Sequence, residues 1–235
     1  MKKFLSLVGA TVAPTLFFPQ IASAEPLIWG VQVEQFEYRF GESDEDIIAW
    51  DFDALIGSDE LKFVWRSEGE YEESGRKFET LENQARLQIP ISDFYDAVAG
   101  VRFDNPKGVD RISGVLGVHG LAEQWFEVDA DLFLSEDPSA RFEVEYEGLI
   151  TNLVTVTPSI EVDLPFTDDE EFENGAWGPT IEVGARISYD LVDRLLSPYV
   201  GVHYERKFGE TANIAEEDGG DDDAVFIVTG VKIMF

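Results

Sequence analysis

Phe126, Val128, Ala130, Leu132 and Leu134 share one parity along the chain, and Glu127, Asp129 and Asp131 share the other. A period of two belongs to an extended strand, whose successive side chains point to opposite faces. The stretch therefore predicts a strand with one apolar and one acidic face. The pattern recurs. Phe36, Tyr38 and Phe40 oppose Glu37 and Arg39, and Ile48, Trp50, Phe52 and Ala54 oppose Asp51 and Asp53. Leu61, Phe63 and Trp65 oppose Lys62, Arg66 and Glu68; Phe142, Val144 and Tyr146 oppose Arg141, Glu143, Glu145 and Glu147. Further stripes run through Val154, Val156, Ile160, Val162 and Leu164, and through Ile181, Val183, Ala185, Ile187 and Tyr189. In all, the pattern predicts about twelve strands of roughly the 9–11 residues that a tilted transmembrane strand needs.

A soluble sandwich alternates as well, with its polar face to water. The connections favour a barrel instead. One set is short ("GSDE", "PISDFY", "GLAEQ", "EGLITN", "LVDRLL"). The set that alternates with it is more acidic and generally longer, as in "TDDEEFENGAWG" and "GETANIAEEDGGDDD". Tight turns at one end and long polar loops at the other are what an antiparallel transmembrane β-barrel with both termini in the periplasm predicts. The final segment, "VFIVTGVKIMF", puts Ile227, Val231 and Ile233 on the parity of the terminal Phe235. Aromatic residues such as Phe36, Trp65, Phe103, Tyr189 and Phe208 also take the apolar parity, many near strand ends, where interfacial girdles sit. The apolar faces are thus expected to touch lipid and the acidic faces to line a lumen. Asn83 and Arg206 break the pattern on the outward side; Arg206 falls near a rim, within reach of the interface.

Residues 1–24 read as a secretory signal peptide, with Lys2 and Lys3, an apolar run interrupted by Pro14 and Pro19, and Ala22-Ser23-Ala24 at the cleavage point. Residues 25–235 form the expected barrel. No later window holds the roughly 18 uninterrupted apolar residues of a membrane helix. The formal charge of −31 becomes two units more negative without the leader. So acidic a chain has no basic face for nucleic acid. With no cysteine, thiolate metal sites and cysteine catalysis are excluded.

Four blocks carry a resemblance: "SEGE" (67–70), "AGVRFD" (99–104), "VLGVHGLAEQWFEVDADLFLSEDPSARFEVEYE" (115–147) and "PYVGVHYERKFGETA" (198–212). Together they resemble the outer-membrane copper-resistance protein B family, in the family's order and running on to the terminal strand. The resemblance implies a cell outer-membrane β-barrel that binds copper ions and takes part in copper tolerance or efflux. It also implies outer-membrane lipid and lipopolysaccharide as surroundings, and periplasmic copper-handling proteins as partners. Many members carry a histidine- and methionine-rich stretch between leader and barrel. Here "EPLIWGVQVEQF" occupies that place, and the mature sequence has one methionine, Met234, and two histidines, His119 and His203. Copper(I) prefers sulfur, so imidazole and carboxylate ligands point to copper(II).

The candidate metal ligands are His119, His203, Glu205 and Glu127, all on inward parities. The alternating topology puts His119 at the periplasmic end of its strand and His203 in the periplasmic half of its own. Their plainer reading is as lumen polar residues bonded to neighbours, and that of Glu127, Asp129 and Asp131 is as partners of arginines on adjacent strands. The acidic loops lack the spacing of an EF-hand. Catalysis is not expected: both histidines face inward, and there is no G-x-S-x-G elbow. Two alternatives stay open beside copper handling, a non-specific cation-selective diffusion channel and a plugged structural barrel.

Overall fold

The computed structural model describes residues 26–235 apart from 42–45, 106–109, 124, 170, 193 and 218; the leader expected over 1–24 lies outside the described residues. The first half of the sheet comprises β1 (Ile28–Phe40), β2 (Ile47–Gly57), β3 (Lys62–Glu72), β4 (Lys77–Pro90), β5 (Tyr95–Asn105) and β6 (Arg111–Ala122). It continues through β7 (Phe126–Leu134), β8 (Ser139–Tyr146, resuming at Gly148–Leu149), β9 (Val154–Pro165), β10 (Thr180–Tyr189), β11 (Leu196–Lys207) and β12 (Asp223–Met234). Each strand pairs antiparallel with its sequence neighbours, and β12 pairs back onto β1 from Ile227↔Phe40 to Met234↔Gln32. Backbone bonds between Val31 and Phe235, at 3.2 and 2.8 Å, finish the seam. The expected twelve-stranded barrel is thus closed. Closure leaves no edge with unpaired N–H and C=O groups, a condition for crossing hydrocarbon.

Burial is inverted relative to a soluble domain. The outward mid-strand residues Leu116 (52%), Val200 (61%) and Ile227 (65%) are exposed, whereas the inward Arg86 (0%), Glu82 (1%) and Gln84 (1%) are buried. Large exposed apolar surfaces are not tolerated in water on this scale, and fully buried charges are rare unless paired. The apolar side is a lipid face, and the charged side chains pack against one another inside. Asn83 points outward, with Ser67 and Phe103 as its Cα partners, and Ser67 in turn accepts a bond from the Trp50 indole at 3.4 Å. Arg206 stays near the rim, 3.5 Å from Asp222 and with its guanidinium 5.3 Å from the Phe208 ring centre.

Two features depart from the simple alternation. β1 extends back from Phe36 to Ile28, and Val33 and Gln35 face the consecutive residues Phe52 and Asp51 of β2. The extra residue, Glu34, makes a β-bulge that shifts the parity of the strand, so that inward positions before and after it both carry polar side chains. The second is α1 (Gly209–Glu217), a helix inside one of the long acidic loops. It buries Thr211, whose hydroxyl donates to the Gly178 carbonyl at 2.6 Å and accepts from the Gly175 amide at 3.0 Å. A side chain at Gly178 would collide with the Phe208 carbonyl and the Thr211 amide, so this docking needs glycine.

The two ends differ as the connections predict. One carries the start of β1, the end of β12 and the short connections that follow β2, β4, β6, β8 and β10; the other carries the longest connections, those from β9 to β10 and from β11 to β12.

Candidate cation site in the lumen

Register brings together what parity alone leaves scattered. Asp96 pairs with His119, His119 with Asp129, Asp129 with Glu143, Glu143 with Glu161, Glu161 with Glu182, and Glu182 with Glu205. All seven are on inward parities and stand on consecutive strands, β5 to β11. Directly opposed residues place their Cβ atoms about 4.5–5.5 Å apart. A row perpendicular to tilted strands climbs around a barrel. Asp96 accordingly lies one residue into β5 from the tight-turn end, whereas Glu205 lies nine residues into β11. The wall therefore carries a rising line of six carboxylates with an imidazole near its foot.

The upper part of the line forms the best-furnished site. Single ligand atoms of Glu161, Asp163 and Glu182 lie within 4.8 Å of one another. His203 sits beside them, its Nε2 3.4 Å from Glu182 Oε2, and Glu205 follows two residues later on the same face. This corrects the expected depth of His203. β11 starts at Leu196, directly after the tight turn, so residue 203 has already passed the strand midpoint and belongs to the loop half. Arg141 caps the cluster: its Nε is 2.9 Å from Glu161 and 3.0 Å from Asp163, while Nη1 crosses to Glu68 at 2.8 Å. Arg39 Nη1 approaches His203 Nε2 at 3.4 Å.

His119 and Glu127 occupy a separate place at the tight-turn end, 4.0 Å apart (Nε2 to Oε1). Here His119 Nδ1 is bonded to Asp129 at 2.8 Å, and Asp129 is also held by Arg66 and Arg86. The four sequence candidates thus fall into two pairs, His203 with Glu205 on β11 and His119 with Glu127 on β6 and β7, four to five strands away in a ring of twelve. Glu161, Asp163 and Glu182 complete the first pair and were not among the candidates. Asp129 and Asp131 do pair with arginines, as the plainer reading holds, but Arg66 and Arg86 reach them from β3 and β4 across the interior rather than from adjacent strands.

A cavity of about 330 Å³ opens around the upper cluster. Its lining includes eleven carboxylates but only five lysines and arginines, so it concentrates cations by its field. Oxygen donors with one imidazole suit a hard or borderline divalent cation. Sulfur is absent from the lining.

A family model described as "Copper resistance protein B precursor (CopB)" matches residues 27–235. A copper resistance protein B homolog of Pseudomonas syringae pv. tomato is 33% identical over 195 residues, 82% of this chain and 65% of the relative. The copper resistance protein B of Escherichia coli is 30% identical over 207 residues, 87% of this chain and 69% of that one. The chain thus spans about two thirds of the length of these curated relatives. Among solved structures, the NanC porin superposes with a TM-score of 0.54 at 12% identity, covering 88% of this chain and 99% of that one. That likeness concerns the fold, an outer-membrane barrel.

Proposed function

Because this chain belongs to the copper resistance protein B family, we propose that its outer-membrane barrel binds or passes copper ions in copper homeostasis, without catalysing a reaction. The observation that carries the reading is the rising row of carboxylates, which joins His119 near the periplasmic end to the His203 cluster at the loop end. Neighbouring carboxylates on such a row are close enough to hand a cation from one to the next. The donor set fits copper(II), for which imidazole and carboxylate are suitable ligands. His203, Glu182, Glu161 and Asp163 would hold the ion in the upper site, with Glu205 at its edge. His119 and Glu127 would receive it at the lower mouth. Arg141 is the tethered cation that an incoming ion must displace from Glu161 and Asp163.

The test is a copper(II) titration of the refolded barrel, with zinc and calcium in parallel. Saturable binding that prefers copper is expected, and His203→Ala with Glu182→Gln should weaken it at least roughly tenfold, the scale on which even outer-shell partners of a metal act. Equal binding of all three metals, indifferent to the substitutions, would leave an acidic lumen with no copper-specific site and favour the unspecific cation channel.

A further inference from the structure

We infer that the barrel is a cup rather than a tube: its vestibule opens at the loop end and is closed below by a plug made of wall side chains, with Arg86 at its centre. The cavity lining ends below at Gln35, Asp51, Glu143 and Arg186, the last of which belongs to the filling under it. None of the inward residues Lys62, Asp96, His119, Glu127, Glu145 or Lys232 of the lower half lines it. Between the two levels the interior is filled.

The filling consists of bridges that cross the lumen instead of following the wall. Arg86 on β4 reaches Asp129 at 2.9 Å and Asp131 at 3.0 Å on β7, and Arg66 on β3 reaches Asp129 at 3.3 Å. On the other side Arg186 of β10 and Tyr199 of β11 converge on Glu37 of β1, at 2.9 and 3.0 Å. Lys232 of β12 meets Glu147, between the two parts of β8, at 2.7 Å below them. Each bridge passes over at least one intervening strand. Beside the first group, the inward Val98, Val115 and Phe133 form a dry cluster, each at most 3% exposed. A water-filled bore would keep its polar wall wet, yet Arg86, Glu82 and Gln84 are almost wholly buried.

The plug is incompletely satisfied. Arg86 Nε and Nη1 and Gln84 Oε1 are buried and have no hydrogen-bond partner. Each such group carries a desolvation penalty. Rearranging this layer therefore forfeits less than breaking a complete network would. The inference concerns access alone and stands whether or not copper is the ion.

The sequence contains no cysteine, so single substitutions give a background-free test. Ser159→Cys reports on the vestibule and Glu127→Cys on the lower mouth. Each barrel is reconstituted into vesicles under the same conditions and exposed on the outside to a small cationic, membrane-impermeant thiol reagent. A cationic probe is chosen so that an acidic lumen does not repel it. With a plug, the two labelled fractions add to one whatever the mixture of orientations, because each site is reached from one side only. With an open bore both sites label fully and the fractions approach two. The first result is expected; the second overturns the inference. Complete labelling of both variants in detergent, and heat-modifiable migration on gels, verify that each is folded and reactive. Adding Arg86→Ala to both is expected to raise the total above one. An unchanged total in folded double variants would remove Arg86 from the centre of the plug.

Discussion

Replacing Arg86 with alanine is expected to lower the unfolding free energy of the barrel in lipid by about 3–5 kcal/mol, the range found when one partner of a buried ion pair is removed. Arg86 is fully buried and touches Asp129 and Asp131, whose side chains are 7% and 3% exposed. Alanine leaves the two carboxylates close together with one guanidinium fewer, and of the two Arg66 reaches only Asp129 while it also serves Asp53 and Glu68. The vacated volume adds a cavity. Arg86→Lys should recover part of the loss, since it restores the charge but not the planar fork that reaches two carboxylates. Removing both sides together, as in Arg86→Met with Asp129→Asn and Asp131→Asn, should cost less than Arg86→Ala, because no buried carboxylate then lacks its cation and Arg66 keeps Asp53. Denaturant unfolding from vesicles, followed by tryptophan fluorescence, measures each value. An Arg86→Ala loss below about 1 kcal/mol would place this residue in water.

Leu116→Arg is expected to destabilise the barrel by about 2–4 kcal/mol, as for an arginine at the bilayer midplane. Leu116 lies halfway along β6, points outward, and has the outward Ala99 and Leu132 as its Cα partners. Val225→Arg, also outward but two residues from the loop end of β12, should cost only about 0–1 kcal/mol, because an arginine there reaches the interface. The native Arg206 already occupies such a rim position. In a water-soluble barrel the two substitutions would cost alike and little. The depth dependence is therefore the signature of lipid, and the same unfolding assay reads it.

The strands and their faces were legible because one face meets lipid and the other an ionic interior, so that parity had to be kept over whole strands. Where pairing adds a residue, parity fails: Glu34 enters the interior only through the bulge against β2, and nothing local marks it. α1 was hidden because it is nine residues long and is held against another loop by the Thr211 hydroxyl rather than by an apolar stripe. The site was half legible. Parity selected His203 and Glu205, and reflecting β10 through the tight turn 190–195 brings Glu182 opposite residues 203–205. Glu161 and Asp163 join only through the register across the long connection 166–179, whose length does not fix the pairing. The depth of His203 was misjudged for a related reason, since it depends on β11 beginning immediately after the turn.

The most direct measurement is electron paramagnetic resonance of the barrel loaded with one equivalent of copper(II), comparing the unaltered protein with His203→Ala and His119→Ala. A lumen site at Glu161, Asp163, Glu182 and His203 predicts coupling to nitrogen, lost in His203→Ala and retained in His119→Ala. A spectrum without nitrogen coupling, or one that His203→Ala leaves unchanged, would contradict it.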